Sequence, residues 1–94
     1  MEQINEIISK AIEIISEQGY GISTQRTRRY SFLRILRLHE QNGAENYDES
    51  LIADYVNECE QRYTHGEIVW SRCRELTKAA EQLAQIRETG TIFS

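Results

Sequence analysis

Proline is absent from this chain, and glycine occurs only five times in 94 residues. Without the main helix breaker and with few turn-forming residues, long uninterrupted helices are favoured over a turn-rich β fold. Long apolar runs are missing too, none approaching the roughly 20 residues needed to span a bilayer. The N-terminal segment is no secretory leader, because Glu2, Glu6 and Glu13 interrupt its apolar positions. Cysteine is scarce. Cys59 and Cys73 fall on separate predicted helices with no CxxC spacing, which reads as two buried thiols in a reducing, cytoplasmic setting. A Cys–His metal site with His39 and His65 is conceivable on paper, but no ligand motif supports it, so no metal or other cofactor is expected.

Recognisable catalytic patterns are lacking as well. There is no Gly-rich phosphate loop and no His-Glu-x-x-His. His39 and His65 lie near predicted helix ends, where histidine caps the helix or meets its dipole. Five tyrosines are present, but a tyrosine attacks phosphorus only beside a basic cluster that stabilises the transition state. The expectation is a non-enzymatic domain with no small-molecule substrate.

What is present is one domain's worth of chain with an ordinary globular composition, 39% hydrophobic and 28% charged. A domain this short buries roughly 60–65% of its unfolded surface, so modest stability is expected. The net charge is −4, but it is unevenly spread. Residues 1–22 carry −3 and residues 39–66 carry −6, while 67–94 balance to zero. Between them, residues 23–38 hold Arg26, Arg28, Arg29, Arg34 and Arg37 with no acid. A strongly basic helix thus sits inside an acidic protein.

Four helices are predicted. The first runs from about Glu2 to Gln18, with Ile4, Ile7, Ile8, Ala11, Ile12, Ile14 and Ile15 on one arc and Gly19 as its left-handed stop. Ser23 or Thr24 is expected to cap a second helix that reaches about Asn42 and turns Phe32, Leu33, Ile35 and Leu36 inward. Asp48 announces the third, which packs through Leu51, Ile52, Tyr55, Val56, Cys59 and Tyr63 and ends at Gly66. The fourth spans about Glu67 to Thr89 and buries Ile68, Val69, Cys73, Leu76, Ala79, Ala80, Leu83 and Ile86. Gly90 closes it, leaving Thr91-Ile92-Phe93-Ser94 as an extended tail. Each helix has one apolar face, so a compact four-helix, all-α domain satisfies them all.

Binding chemistry concentrates on two helices. Arg26, Tyr30, Arg34 and Arg37, spaced by four, four and three, form one outward stripe with Thr27 beside it. Guanidinium forks interleaved with an aromatic ring suit a phosphate backbone and groove edges. The competing view is a solvated face paired with the acidic third helix. A second strip comprises Trp70, Arg74 and Lys78 at successive i, i+4 positions, with Ser71 adjacent. Trp70 itself is expected to cover a gap between helices rather than face solvent. Arg72, at the edge of the apolar face, is expected to snorkel or to pair with an acid.

The stretch Gly21-Ile22-Ser23-Thr24-Gln25-Arg26-Thr27-Arg28-Arg29-Tyr30, followed by Phe32, Leu33 and Leu36, resembles the opening of the core-binding domain of tyrosine recombinases (phage integrases). The Ser-to-Tyr separation of seven, Ser23 to Tyr30, is kept, whereas the family's usual Thr three residues after the Ser is Arg26 here. The segment Trp70 to Ile86 with Thr89-Gly90-Thr91-Ile92 is similar to that family's last helix and its exit toward the linker. The resemblance implies a SAM-like orthogonal four-helix bundle forming half of a C-shaped clamp on double-stranded DNA. Ser23 and Thr24 then join Arg26, Thr27, Tyr30, Arg34, Arg37, Trp70, Ser71, Arg74 and Lys78 as the implied DNA-facing set. It also implies that residues 1–94 are a single core-binding domain that begins at a native start and stops at the interdomain linker. The catalytic domain would lie beyond it, and other recombinase protomers would be the protein partners.

Two further readings compete. One is a helical protein-interaction or dimerisation module that binds no DNA. The other, a helix-turn-helix regulator around Gly43, would make the third helix the recognition helix. That helix carries Asp48, Glu49, Asp54, Glu58 and Glu60, which a phosphate surface repels. A small enzyme is a more distant alternative.

Overall fold

The computed structural model describes residues 2–92. Among them are four α-helices: α1 (Ile4–Glu17), α2 (Ile22–Gln41), α3 (Glu49–Thr64) and α4 (Trp70–Thr89). No strand forms among the described residues. A single bridge joins Gln3 to Asn46, where Ile4 N–H donates to the Glu45 carbonyl and Tyr47 N–H to that of Glu2. Among the described residues no helix is long and apolar enough to cross a membrane.

α4 is the hub. It packs against each of the other helices, whereas α1 and α3 do not touch. The isoleucine arc of α1 goes inward as its spacing predicts, burying Ile4, Ile7, Ile8, Ala11, Ile14 and Ile15. It meets Phe32 and Ile35 of α2 and the Cys73, Leu76, Ala79, Leu83, Ile86 ridge of α4 in one core. Gly19 and Gly90 stop their helices in the left-handed conformation that glycine tolerates best. Asp48 caps α3 by accepting from Leu51 N–H at 3.0 Å.

Several expectations are corrected. Neither Ser23 nor Thr24 caps α2; both sit in its first turn, after Gly21 at the cap position. The entry is fixed by Gln25, whose side chain donates to the Tyr20 carbonyl and whose backbone N–H donates to that of Gly21. α4 begins at Trp70, not Glu67. Gly66 and Glu67 donate back to the Tyr63 and Arg62 carbonyls, so these residues unwind α3 instead of starting α4. Val69, expected inside, is 66% exposed, and Leu33 and Tyr63 are also exposed. Ile92, expected in a loose tail, is buried in the core, and its carbonyl accepts from the Gln18 side chain. The remainder of that tail, Phe93 and Ser94, lies outside the described residues.

The inward face of α2 is partly polar. His39 is fully buried, with Nδ1 bonded to the Ile35 carbonyl at 2.8 Å and Nε2 accepting from Asp48 N–H at 3.1 Å. It therefore pins the end of α2 to the cap of α3. Arg28 is buried too, and its guanidinium forks onto both Glu75 carboxylate oxygens while Nη1 donates to Gln82 at 2.6 Å. Among the described residues no buried side-chain nitrogen or oxygen lacks a partner, as a packed interior requires.

Candidate nucleic-acid interface

The arginine run of α2 divides by helical phase. Arg28 faces α4 and is committed to Glu75 and Gln82. Arg26, Arg29, Arg34 and Arg37 are exposed, and none forms an ion pair among the described residues. The acidic α3 therefore forms no ion pair with the stripe among the described residues. Its one direct engagement of a stripe cation is aromatic: the Arg34 guanidinium lies 5.8 Å from the Tyr30 ring centroid and 5.9 Å from that of Tyr55. Two rings orient this guanidinium by cation–π attraction without consuming its charge.

Arg34 stands in an open groove of about 750 Å³ between α2, α3 and the start of α4. The structure brings six of the sequence-predicted residues together along it: Ser23, Thr24, Thr27, Tyr30, Arg34 and Ser71. The other five, Arg26, Arg37, Trp70, Arg74 and Lys78, are exposed on α2 and α4 but do not line it. The hydroxyls differ in readiness. Thr27 already donates to the Ser23 carbonyl at 3.0 Å, whereas Ser23, Thr24 and Ser71 donate to nothing among the described residues.

Trp70 corrects the expectation of burial. It is 53% exposed at the first position of α4, with its ring 5.1 Å from that of Tyr63 and inclined at 53°. Such an edge-biased pair holds an aromatic plane at the surface. Arg72 is exposed without an acidic partner, so the expected pairing is not made.

Sequence reasoning passed over Tyr55, Arg62 and Arg72 as groove residues. The first two carry a signal after the fact. Tyr55, Glu58, Cys59 and Arg62 recur at three- and four-residue spacing on one face of α3, of which the apolar pattern marks only Tyr55 and Cys59, as packing residues. Only Ile52 and Cys59 of α3 are in fact buried.

Beneath the groove, Cys59 and Cys73 are free, buried thiols in contact. Burial, reinforced by the hydrogen bond with Cys59, pushes Cys73 up from its ordinary 9.0 to about 11, so it is held as the unreactive thiol. Among the described residues no group of three His, Cys, Asp or Glu side chains is placed to hold a metal. No family model matches the sequence, and neither curated proteins nor solved structures include a significant match to it.

Proposed function

We propose that the chain is a double-stranded-DNA-binding domain, working as one half of a clamp in the manner of the core-binding domain of tyrosine recombinases. Strand-exchange chemistry would belong to a separate catalytic domain, and no tyrosine of this chain would be the nucleophile. The observation that carries the reading is the unpaired α2 stripe in a protein of net charge −4. Acids are plentiful on neighbouring helices, yet Arg26, Arg34 and Arg37 remain open to a polyanion. Counterions released from neutralised phosphates supply the driving force. Trp70, Ser71, Arg74 and Lys78 would make the second contact strip, from α4.

Binding by the isolated domain is expected in about the micromolar range or weaker, with affinity falling steeply as salt rises. Fluorescence anisotropy of a labelled duplex across a salt series, with two charge-reversal variants, tests the reading. Arg34→Glu should weaken binding and flatten the salt slope. Lys10→Glu makes the same charge change on α1, away from the stripe, and should lose far less. Equal losses, with both variants folded, would defeat the stripe assignment, as would the absence of any binding at low salt.

A protein-interaction module is the second reading, favoured by apolar Ile22 and Val69, which are 76% and 66% exposed. Light scattering separates the two: a dimer that binds no duplex supports the module.

A further inference from the structure

The groove holds more charge than the DNA-facing stripe requires. Arg34 reaches it from α2, Arg62 from α3 and Arg72 from α4. None of the three forms an ion pair among the described residues. Two carboxylates also line it. Glu75 is already matched to Arg28, which leaves Glu58 as the one uncommitted acid facing three guanidiniums. Like charges lining one groove from three separate helices repel one another, and among the lining residues only Glu58 is left to offset that repulsion. From this we infer that the groove is a phosphate-binding site in which Arg62 and Arg72, together with Arg34 and the free hydroxyls of Ser23, Thr24 and Ser71, surround one phosphate group.

The geometry favours phosphate over carboxylate. A planar carboxylate is satisfied by a single arginine fork, whereas a tetrahedral phosphate offers oxygens in several directions. Donors lining one groove from three helices suit the second shape. The starts of α2 and α4 add a field of the same sign, since neither has an acid in its first turn or a side-chain cap. Ile68, Val69 and Leu76 supply an apolar wall beside the donors, suited to the carbon skeleton of a phosphate ester. The site deepens the DNA reading and rests on it: Arg34, Ser23, Thr24 and Ser71 are shared with the DNA-facing set, and Arg62 and Arg72 are added to it. A free phosphate and a phosphodiester of duplex DNA share the chemistry it recognises.

The test uses amide-resolved NMR of the whole chain titrated with inorganic phosphate, beside anisotropy with a duplex oligonucleotide. Phosphate should shift the amides of Thr24, Ser71 and Arg72 saturably. The double variant Arg62→Ala/Arg72→Ala, which changes two exposed side chains, should abolish that shift and weaken duplex binding about tenfold or more. Glu58→Gln should tighten both ligands by about two- to threefold, because it removes the one opposing charge. Phosphate shifts that survive the double variant would overturn the site, as would a polyglutamate peptide that competes as well as phosphate does. If Arg34→Glu weakens duplex binding while the double variant does not, the groove site falls and the DNA reading stands. If phosphate saturates the groove but no duplex binds, the site stands for free phosphate and the DNA reading falls.

Discussion

On one flank of α4, α1 lays down six buried residues; on the other, α3 contributes two. The first is a seam of five isoleucines and one alanine that joins α2 as well as α4 in the shared core. The second leaves a groove walled by arginine, tyrosine and serine. One helix thus serves as the inner wall of a core and as the rim of an open groove. The difference lies in the partner rather than in α4 itself. Burial of apolar area dominates stability, so α1, with six buried residues against two, contributes more to the core than α3, which keeps most of its side chains outside it.

The contrast is broken most forcefully at the seam. Ile7→Ala should remove about 2–5 kcal/mol, a large share of the roughly 5–14 kcal/mol expected for a domain of this length. Val56→Ala on half-buried α3 should remove far less, and urea unfolding compares them directly. If the two losses are alike, the division of labour is wrong.

A second break falls where the flanks are joined. Arg28→Met leaves Glu75 partly buried and without its partner, which should destabilise by about 2–3 kcal/mol, discounted because the Glu75 side chain is 21% exposed. Adding Glu75→Leu should recover most of that loss, since a matched apolar pair avoids the desolvation of both charges. Failure of the double variant to recover would mean that the ion pair itself stabilises the fold. The groove flank is more finely probed at its helix start. Asp48→Ala should cost about 1 kcal/mol and speed hydrogen exchange at Leu51.

The smallest effect is alkaline. The folded state holds the Cys73 proton up to about pH 11 against an ordinary 9.0. Its contribution is therefore complete below the ordinary value and is lost as pH rises through the folded one. Tyr47, raised mainly by burial and next by Glu49, acts in the same direction. Between about pH 8 and about pH 10.5, the urea midpoint of the wild type should fall further than that of Cys73→Ala. Parallel curves for the two proteins would remove Cys73 from the account.

The α1 seam was legible in the sequence because seven apolar residues at helical spacing leave a single solution, and Asp48 before an apolar run is a chemical signal for a cap. The inner face of α2 was not. Periodicity ranks positions by hydrophobicity, so it placed Leu33 inside and had no means of choosing Arg28, Ser31 and His39. Each is satisfied by a specific partner: Arg28 by Glu75 and Gln82, forty or more residues away along the chain, His39 by the Ile35 carbonyl and Asp48 N–H, and Ser31 by the Thr27 carbonyl of its own helix. The stripe was readable as charge and spacing. Arg62 and Arg72 were not, because only the tertiary fold brings α3 and the start of α4 to the same groove.

Glu75 and Gln82, the two groups that Arg28 grips, are seven residues apart on α4, a span of about 10 Å along its axis. A grip of that length on a single guanidinium resists both sliding and rolling of α2 over α4. The two exposed strips those helices carry are therefore held in fixed register before any ligand arrives. Any ligand touching both strips would lose little entropy in ordering the protein, and its affinity would then depend on a side chain it never meets.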